Sequence, residues 1–167
     1  MTIQELYNTF KLKVWNRNFL EDDFILLVNE GLRNLSHLWK NYYNFANSYL
    51  YKEKVVSYYK DKNWIYINMT DLESDVNDIL DIEWQIYKDW NKVYIDLDFV
   101  NIVDDNKVRI KYVKVLPKVS AMTDNIDLWT YIDALLNYII AEYYLLKTKE
   151  PQLEQYYKQK VLLLLQI

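Results

Sequence analysis

The chain of 167 residues contains no cysteine, one glycine, two prolines and one histidine. Without cysteine there is no disulfide framework and no thiolate metal site, and a reducing compartment is compatible with the composition. A single glycine, Gly31, cannot build a glycine-rich phosphate loop, so the dinucleotide and P-loop fingerprints are excluded. The only histidine, His37, lies between Leu35 and Leu38. A histidine metal site or a Ser-His-Asp arrangement would have to be built around it alone, so it reads as an ordinary helix residue. Long apolar runs are missing too. No stretch reaches the roughly 18 residues that a membrane span needs, and Met1 to Tyr7 shows no basic start followed by an apolar run. The expectation is a protein neither exported nor embedded in a membrane. Positive charge is in deficit, with 20 Lys and Arg against 24 Asp and Glu, a formal net charge of −4. That balance argues against a surface that grips nucleic-acid phosphate, while allowing one that DNA slides past.

What the chain has in excess is aromatic: 17 Tyr and 6 Trp. Tyrosine buries a flat body and keeps a hydroxyl for water or a partner, which suits protein interfaces. AT-rich coding, which favours Lys, Asn, Ile and Tyr, is a competing source of the same surplus. Two C-terminal segments, Leu128 to Leu146 and Pro151 to Leu165, read as helices. The first carries Leu128, Ile132, Leu135, Ile139, Tyr143 and Leu146 on one stripe, and Trp129, Leu136, Ile140 and Tyr144 on another. A surface helix hides one stripe, so this one is expected to be covered by its own domain on one side and by another chain on the other.

Thr2 with Glu5 reads as a capping box opening a helix to about Trp15. Glu21, Asp22 and Asp23 then precede a 3.5 to 3.6 period through Phe24, Val28, Gly31, Leu35, Leu38, Tyr42, Phe45 and Tyr49, which predicts one helix from about Asp22 to Leu50. Gly31 on that stripe predicts a close crossing, since glycine inside a helix otherwise weakens it by about 1 kcal/mol. Trp64 to Ile67 looks like a strand, and Thr70 with Glu73 like a second capping box opening a helical turn through about Leu80. Glu83 to Tyr87 is a possible strand. Val93, Ile95, Leu97 and Phe99 alternate with polar residues, as do Val108, Ile110 and Tyr112, and Asp104-Asp105-Asn106 between them predicts a hairpin with Asp96 and Asp98 facing the lysines. Asp127 is placed to cap the helix that follows, and Pro151 to start the last one, with Leu153, Tyr156, Tyr157, Val161 and Leu164 turned inward. The closing run Val161 to Ile167 is too apolar for a free tail and is expected to dock.

Chemistry-bearing patterns are few. Asp71, Glu73 and Asp75 have the odd spacing of a calcium loop, but Val76 stands where that loop needs glycine and Ile82 where it needs a bidentate Glu. The stretch Lys107 to Lys118, with Arg109, Lys111, Lys114 and Tyr112, loosely resembles a strand that stacks bases, but cross-strand pairing with Asp96 and Asp98 is the better account of its lysines. No catalytic, cofactor-binding or metal-ligating residue emerges, and the chain reads as a non-enzyme.

The closing helix, with its cadence Leu128-Trp129-Thr130-Tyr131-Ile132-Asp133-Ala134-Leu135-Leu136-Asn137-Tyr138-Ile139-Ile140-Ala141-Glu142-Tyr143-Tyr144, follows a polar connection from Pro117 to Asp127 and precedes a last helix bearing Tyr156-Tyr157. Together with the element order, this resembles the head-to-tail adaptor, or head-completion, proteins of tailed bacteriophages. The resemblance implies a homo-oligomeric ring, dodecameric in this family, docked beneath the portal protein and continuing the DNA channel to the tail. It implies assembly in the host bacterial cytoplasm and residence in the virion neck. A modestly acidic channel wall would keep the genome from sticking. The fold expected is α+β and mostly helical: one domain over residues 1–167, a helical bundle with a small antiparallel sheet or hairpin at about 64–116 between helices at about 2–50 and 128–165. The candidate subunit or portal interface comprises Trp129, Ile140, Tyr143, Tyr144, Tyr156, Tyr157, Leu163 and Ile167, with Trp129, Tyr143 and Tyr144 partly exposed before assembly. Another neck component such as a tail-completion protein, and a small cytoplasmic regulator without a ring, are the alternatives. Single-stranded nucleic-acid binding through the sheet is a third.

Overall fold

In chain order the helices are α1 (Ile3–Val14), α2 (Glu21–Trp39), α3 (Tyr43–Phe45), α4 (Met69–Leu72), α5 (Ile132–Tyr143) and α6 (Pro151–Leu165). Between α3 and α5 run strands β1 (Tyr51–Ser57), β2 (Tyr59–Asp61), β3 (Trp64–Asn68), β4 (Ile79–Ile82), β5 (Gln85–Asp89), β6 (Lys92–Ile95), β7 (Asn101–Asp104) and β8 (Lys107–Lys114). This computed structural model describes residues 1–74 and 78–166, apart from the side chains of Tyr43 and Leu97. Contacts divide the chain into two compact units: Met1–Phe45 with Pro117–Ile167, and Ala46–Leu116.

The first unit is helical. At the start of α1, the Glu5 amide donates to Thr2 Oγ1 at 3.2 Å and the Thr2 amide to Glu5 Oε2 at 2.8 Å, which is the capping box read from the sequence. The next two free amides are taken up by backbone: Ile3 donates to the Asp124 carbonyl and Gln4 to that of Met122, both at 2.9 Å. Helix α2 buries Phe24, Val28, Gly31, Leu35 and Trp39. It ends at Trp39, and the chain turns over Lys40 to Tyr42 before helical turns resume, so the single helix expected to Leu50 is two pieces. The sequence hides that break because no proline or glycine marks it and the apolar period runs on through Phe45.

Helix α5 is the centre of this unit. Every residue from Ala134 to Tyr143 is buried, and α1, α2 and α6 pack around it. In its second apolar stripe Leu136 and Ile140 are therefore covered by the unit's own helices, which overturns the expectation of a foreign chain over the middle of the helix, while Trp129 stays exposed and Tyr144 half-buried at the stripe's two ends. A short 3-10 turn, Trp129–Tyr131, precedes α5 without a side-chain cap, so Asp127 does not serve as one. Pro151 is the first residue of α6, as its missing N–H predicts. Toward its end Val161 and Leu165 are buried while Leu162 and Leu163 face water.

The second unit overturns the expected fold. In place of a helical bundle with a small hairpin, the described residues hold eight strands in two antiparallel four-stranded sheets. In one, β8 is central, with β1 along one edge and both β4 and β7 sharing the other. In the second, the order is β2-β3-β6-β5. Both sheets turn apolar side chains into one core, including Val56, Ile65, Ile67, Val93, Ile95, Val108 and Ile110. The predicted hairpin is mispaired: β6 lies between β3 and β5, and β8 takes β7 as its hairpin partner across Asp105-Asn106. Asp96 and Asp98 therefore do not face the lysines of β8. The second predicted capping box is absent as well, since α4 is one four-residue turn with Asn68 before it and no side-chain cap.

Candidate functional site

The patterns that could have carried chemistry are engaged in structure. His37 is exposed near the end of α2. Within the acidic run, Asp71 accepts from the Asn68 amide at 3.3 Å, and Asp81 Oδ1 accepts from Gln85 Nε2 at 2.7 Å and the Ile82 amide at 2.9 Å. Glu73 receives the Tyr112 hydroxyl at 2.8 Å and pairs with Lys114 at 3.0 Å. The Tyr112 hydrogen bond, opposed by burial and assisted by Lys114, holds the Glu73 carboxyl below its usual range. Burial and then Glu73 push the Tyr112 phenol up to about 12. Asp75 and Val76 lie outside the described residues, and among those described no His, Cys, Asp and Glu group is arranged to hold a metal. On β8, Tyr112 turns into the core and Lys111 sits 4.5 Å from the Tyr51 ring centre, so that strand offers no open ring for a base. No helix of the described residues is long and apolar enough to cross a membrane.

The candidate interface residues divide. Trp129 is 73% exposed, Leu163 is 64% exposed and Tyr156 is half exposed. Tyr144 and Tyr157 are half-buried and stacked on each other with ring centres 5.7 Å apart. Ile140 and Tyr143 are buried inside the helical unit, where Tyr143 packs edge-on against Phe10 and Phe19 and accepts from Asn16 Nδ2 at 3.2 Å. These two cannot meet a partner without unfolding. Ile167 lies outside the described residues.

Sequence reading named Trp129 and missed three tryptophans that share its backbone geometry. Among the described residues six non-glycine residues have positive φ, and four are Trp: Trp15 (55°), Trp84 (65°), Trp90 (51°) and Trp129 (40°). For a bulky side chain this region costs about 1–3 kcal/mol and persists only where its surroundings impose it. All four indoles face water, Trp15 at 91% and Trp90 at 93% exposure. Their shared signal in the sequence is the shortage of glycine, since a chain with one glycine must put other residues at its left-handed positions.

Sheet geometry gives the tryptophans of the second unit a setting. Across the outer face of its β2-β3-β6-β5 sheet runs a row of tyrosines, Tyr59, Tyr66, Tyr94 and Tyr87, each opposite the next in register. Adjacent ring centres lie 5.3, 5.5 and 4.4 Å apart, so the row spends its ring faces on itself. Beside the other sheet, β4 pairs with Tyr112 to Lys114 and β7 with Lys107 to Arg109, and between them the Glu83 amide donates to the Lys111 carbonyl at 2.8 Å beside the buried Ile110. A cavity of about 210 Å³ opens there, reaching Ile95 and Ile110, beneath Trp84 and Phe99. Those two rings are nearly parallel, 11° apart, with centres at 5.7 Å. Glu53, Glu83, Arg109 and Lys111 line its mouth. No protein-family model matches this chain, and no curated protein matches it either.

Proposed function

We propose that this chain is a structural virion protein, a head-to-tail adaptor whose copies form a ring beneath the portal, extend the DNA channel and give the tail its docking platform. The reading keeps the resemblance of the segment from Leu116 onward and replaces its physical support. The doubly apolar α5 no longer counts, because the subunit covers it. What carries the proposal is the set of four exposed tryptophans at left-handed backbone positions. Each combines a conformational cost with an indole left in water, and neither stabilises a solitary subunit. Contact with another chain returns that energy, since tryptophan is enriched among interface anchors and the loss of one anchor costs about 2 kcal/mol or more of association. The formal net charge of −4 suits a channel wall past which DNA slides.

Native mass spectrometry and light scattering of the full chain, alone and with a portal protein, test the reading. Closed ring masses are expected for wild type and smaller species for Trp129→Ala. Strictly monomeric masses at all concentrations, with and without portal, would end it.

A further inference from the structure

Resting on that ring reading, we propose that neighbouring copies join the basic groove along α1 of one copy to the acidic, apolar stretch around β7 of the next. The two surfaces begin as charge runs of opposite sign. Between Glu5 and Glu21 stand three bases, Lys11, Lys13 and Arg17, and no acid. Between Lys92 and Lys107 stand four aspartates, Asp96, Asp98, Asp104 and Asp105, and no base.

The groove follows one face of α1. Asn8, Lys11, Leu12 and Trp15 recur at the i, i+3, i+4, i+7 spacing, turned away from the buried stripe of Ile3, Leu6, Phe10 and Val14. With Arg17 they line an open groove of about 480 Å³. Leu12 is 77% exposed and Trp15 more so, which leaves an apolar floor in water. The cations around it are uncommitted: Lys13 and Arg17 are exposed, and among the described residues neither they nor Lys11 form an ion pair. Of the acids that open α2 just after this run, Asp23 is held by Lys147 at 3.2 Å.

Strand β7 supplies the complement. Among the described residues it pairs with β8 alone, and all four of its residues are exposed. Ile102 and Val103, with Phe99 just before the strand, place apolar surface between the aspartates. Asp96 and Asp104 each accept a nearby backbone amide, from Asp98 at 3.0 Å and from Asp105 at 2.8 Å, whereas the carboxylates of Asp98 and Asp105 have no partner among the described residues. Lys107 stands opposite Asp104 and Arg109 opposite Asn101, yet neither base forms an ion pair there.

Charge decides which surfaces meet. Groove on groove sets bases against bases, and β7 on β7 sets acids against acids, so only the unlike pairing matches charge as well as apolar surface. An exposed apolar edge bounded by acids is what the groove requires, and the chain itself carries one. Each copy then offers one surface of each kind, the head-to-tail arrangement that closes into a ring when the rotation allows.

Charge reversal of the full chain tests this by sedimentation velocity, alone and with a portal protein. Lys13→Glu with Arg17→Glu reverses the groove, and Asp98→Lys with Asp105→Lys reverses the edge; all four side chains are exposed, and circular dichroism checks that each variant folds. Each double variant alone should associate about tenfold more weakly than wild type or worse, since like charges then face each other. An equimolar mixture of the two should recover association, because reversed groove meets reversed edge and native groove meets native edge; misfolding would not be rescued by mixing. Wild-type association should weaken as salt is raised, and insensitivity to salt would overturn the charge match. Both variants assembling like wild type would overturn this contact and leave the ring reading intact. Loss in each variant without recovery in the mixture would overturn the pairing of these two surfaces. Loss of portal binding by the groove variant, with self-association unchanged, would overturn it in favour of the portal as the groove's occupant. A wild-type chain that stays monomeric at all concentrations, with and without portal, would overturn both this contact and the ring.

Discussion

A Cβ placed on Gly31 of α2 would stand 2.9 Å from Leu135 Cδ1 on α5 and 3.4 Å from the Tyr138 ring. Leu135 is fully buried, so its methyl group has little room to turn aside. Alanine would gain about 1 kcal/mol of helix propensity at this site, against an overpacking cost of about 1–3 kcal/mol in a filled core. Overpacking is expected to win, with Gly31→Ala destabilising by about 1 kcal/mol. In a Leu135→Ala background the clash is gone, and the same substitution should stabilise by about 1 kcal/mol. Denaturant unfolding of the four-member cycle reads that inversion, and a Gly31→Ala effect of the same sign in both backgrounds would contradict the crossing.

The Glu73, Tyr112 and Lys114 cluster sets a pH window for the β-rich unit. The Glu73 carboxyl is held below its ordinary 4.5 in the folded state. Its contribution is complete above that unfolded value and is lost as pH falls through the lower folded one. Tyr112 behaves in the opposite sense. Its phenol is raised from 10 to about 12, so its contribution is complete below pH 10 and drains away as pH rises toward 12. Stability should therefore be flat between about pH 5 and 10 as far as this cluster decides it. Glu73→Gln should cost about 1.5–3 kcal/mol at pH 7, the scale of a hydrogen bond to a charged group, and should lower the Tyr112 titration part of the way toward 10, since burial still raises it. Chemical denaturation against pH and the Tyr112 ring resonance in a pH titration check both parts; an unmoved Tyr112 titration would show that Glu73 does not hold it.

How much of this was written in the sequence depends on whether a signal was local. Thr2 with Glu5, Gly31 and Pro151 each act through the backbone within a turn or one close contact, and each is found doing what its chemistry requires. Strands fared worse because β2, β5 and β7 have no dry face. All their described residues are exposed, so the period of two that marks a strand is missing. Two of their turns were silent as well, since Lys62 and Trp90 take positive φ where glycine would have announced a hairpin. Strand pairing is nonlocal by nature: Val93 and Ile95 alternate correctly, yet nothing near them says that β3 and β5, and not β8, lie alongside. Helix α5 failed for the opposite reason. An all-round apolar helix reports only that it is covered, and the covering helices came from elsewhere in its own unit. The candidate site suffered in turn, with Ile140 and Tyr143 in the core and Trp84 and Trp90 overlooked.

The difference between covered and uncovered aromatic surface is measurable. Ile140 has no exposure, and Ile140→Ala should cost about 2–5 kcal/mol of folding stability through the cavity it leaves. Trp129→Ala should change folding stability by less than about 0.5 kcal/mol, as for an ordinary surface site, and weaken association instead. Thermal unfolding beside a concentration series in light scattering separates the two outcomes. A severe loss of folding stability in Trp129→Ala would place that indole in the core.

Trp15 offers the cleanest reading of strain held for something other than folding. It ends α1 at φ 55° and ψ 25°, the left-handed C-terminal position, with its indole 91% exposed. Glycine is the usual occupant there because it has no Cβ to collide with the carbonyl, and asparagine tolerates the same geometry. An L-residue such as tryptophan carries about 1–3 kcal/mol of strain at this position. Replacing it with glycine removes the strain but loosens the unfolded chain, which takes back about 0.4–1 kcal/mol. Trp15→Gly and Trp15→Asn should thus both stabilise the helical unit, by about 1 kcal/mol, whereas Trp15→Ala keeps a Cβ and should gain nothing. Equilibrium unfolding of the three variants orders them. If all three destabilise alike, the exposed ring is packing for its own subunit, and its left-handed backbone is no sign of a partner.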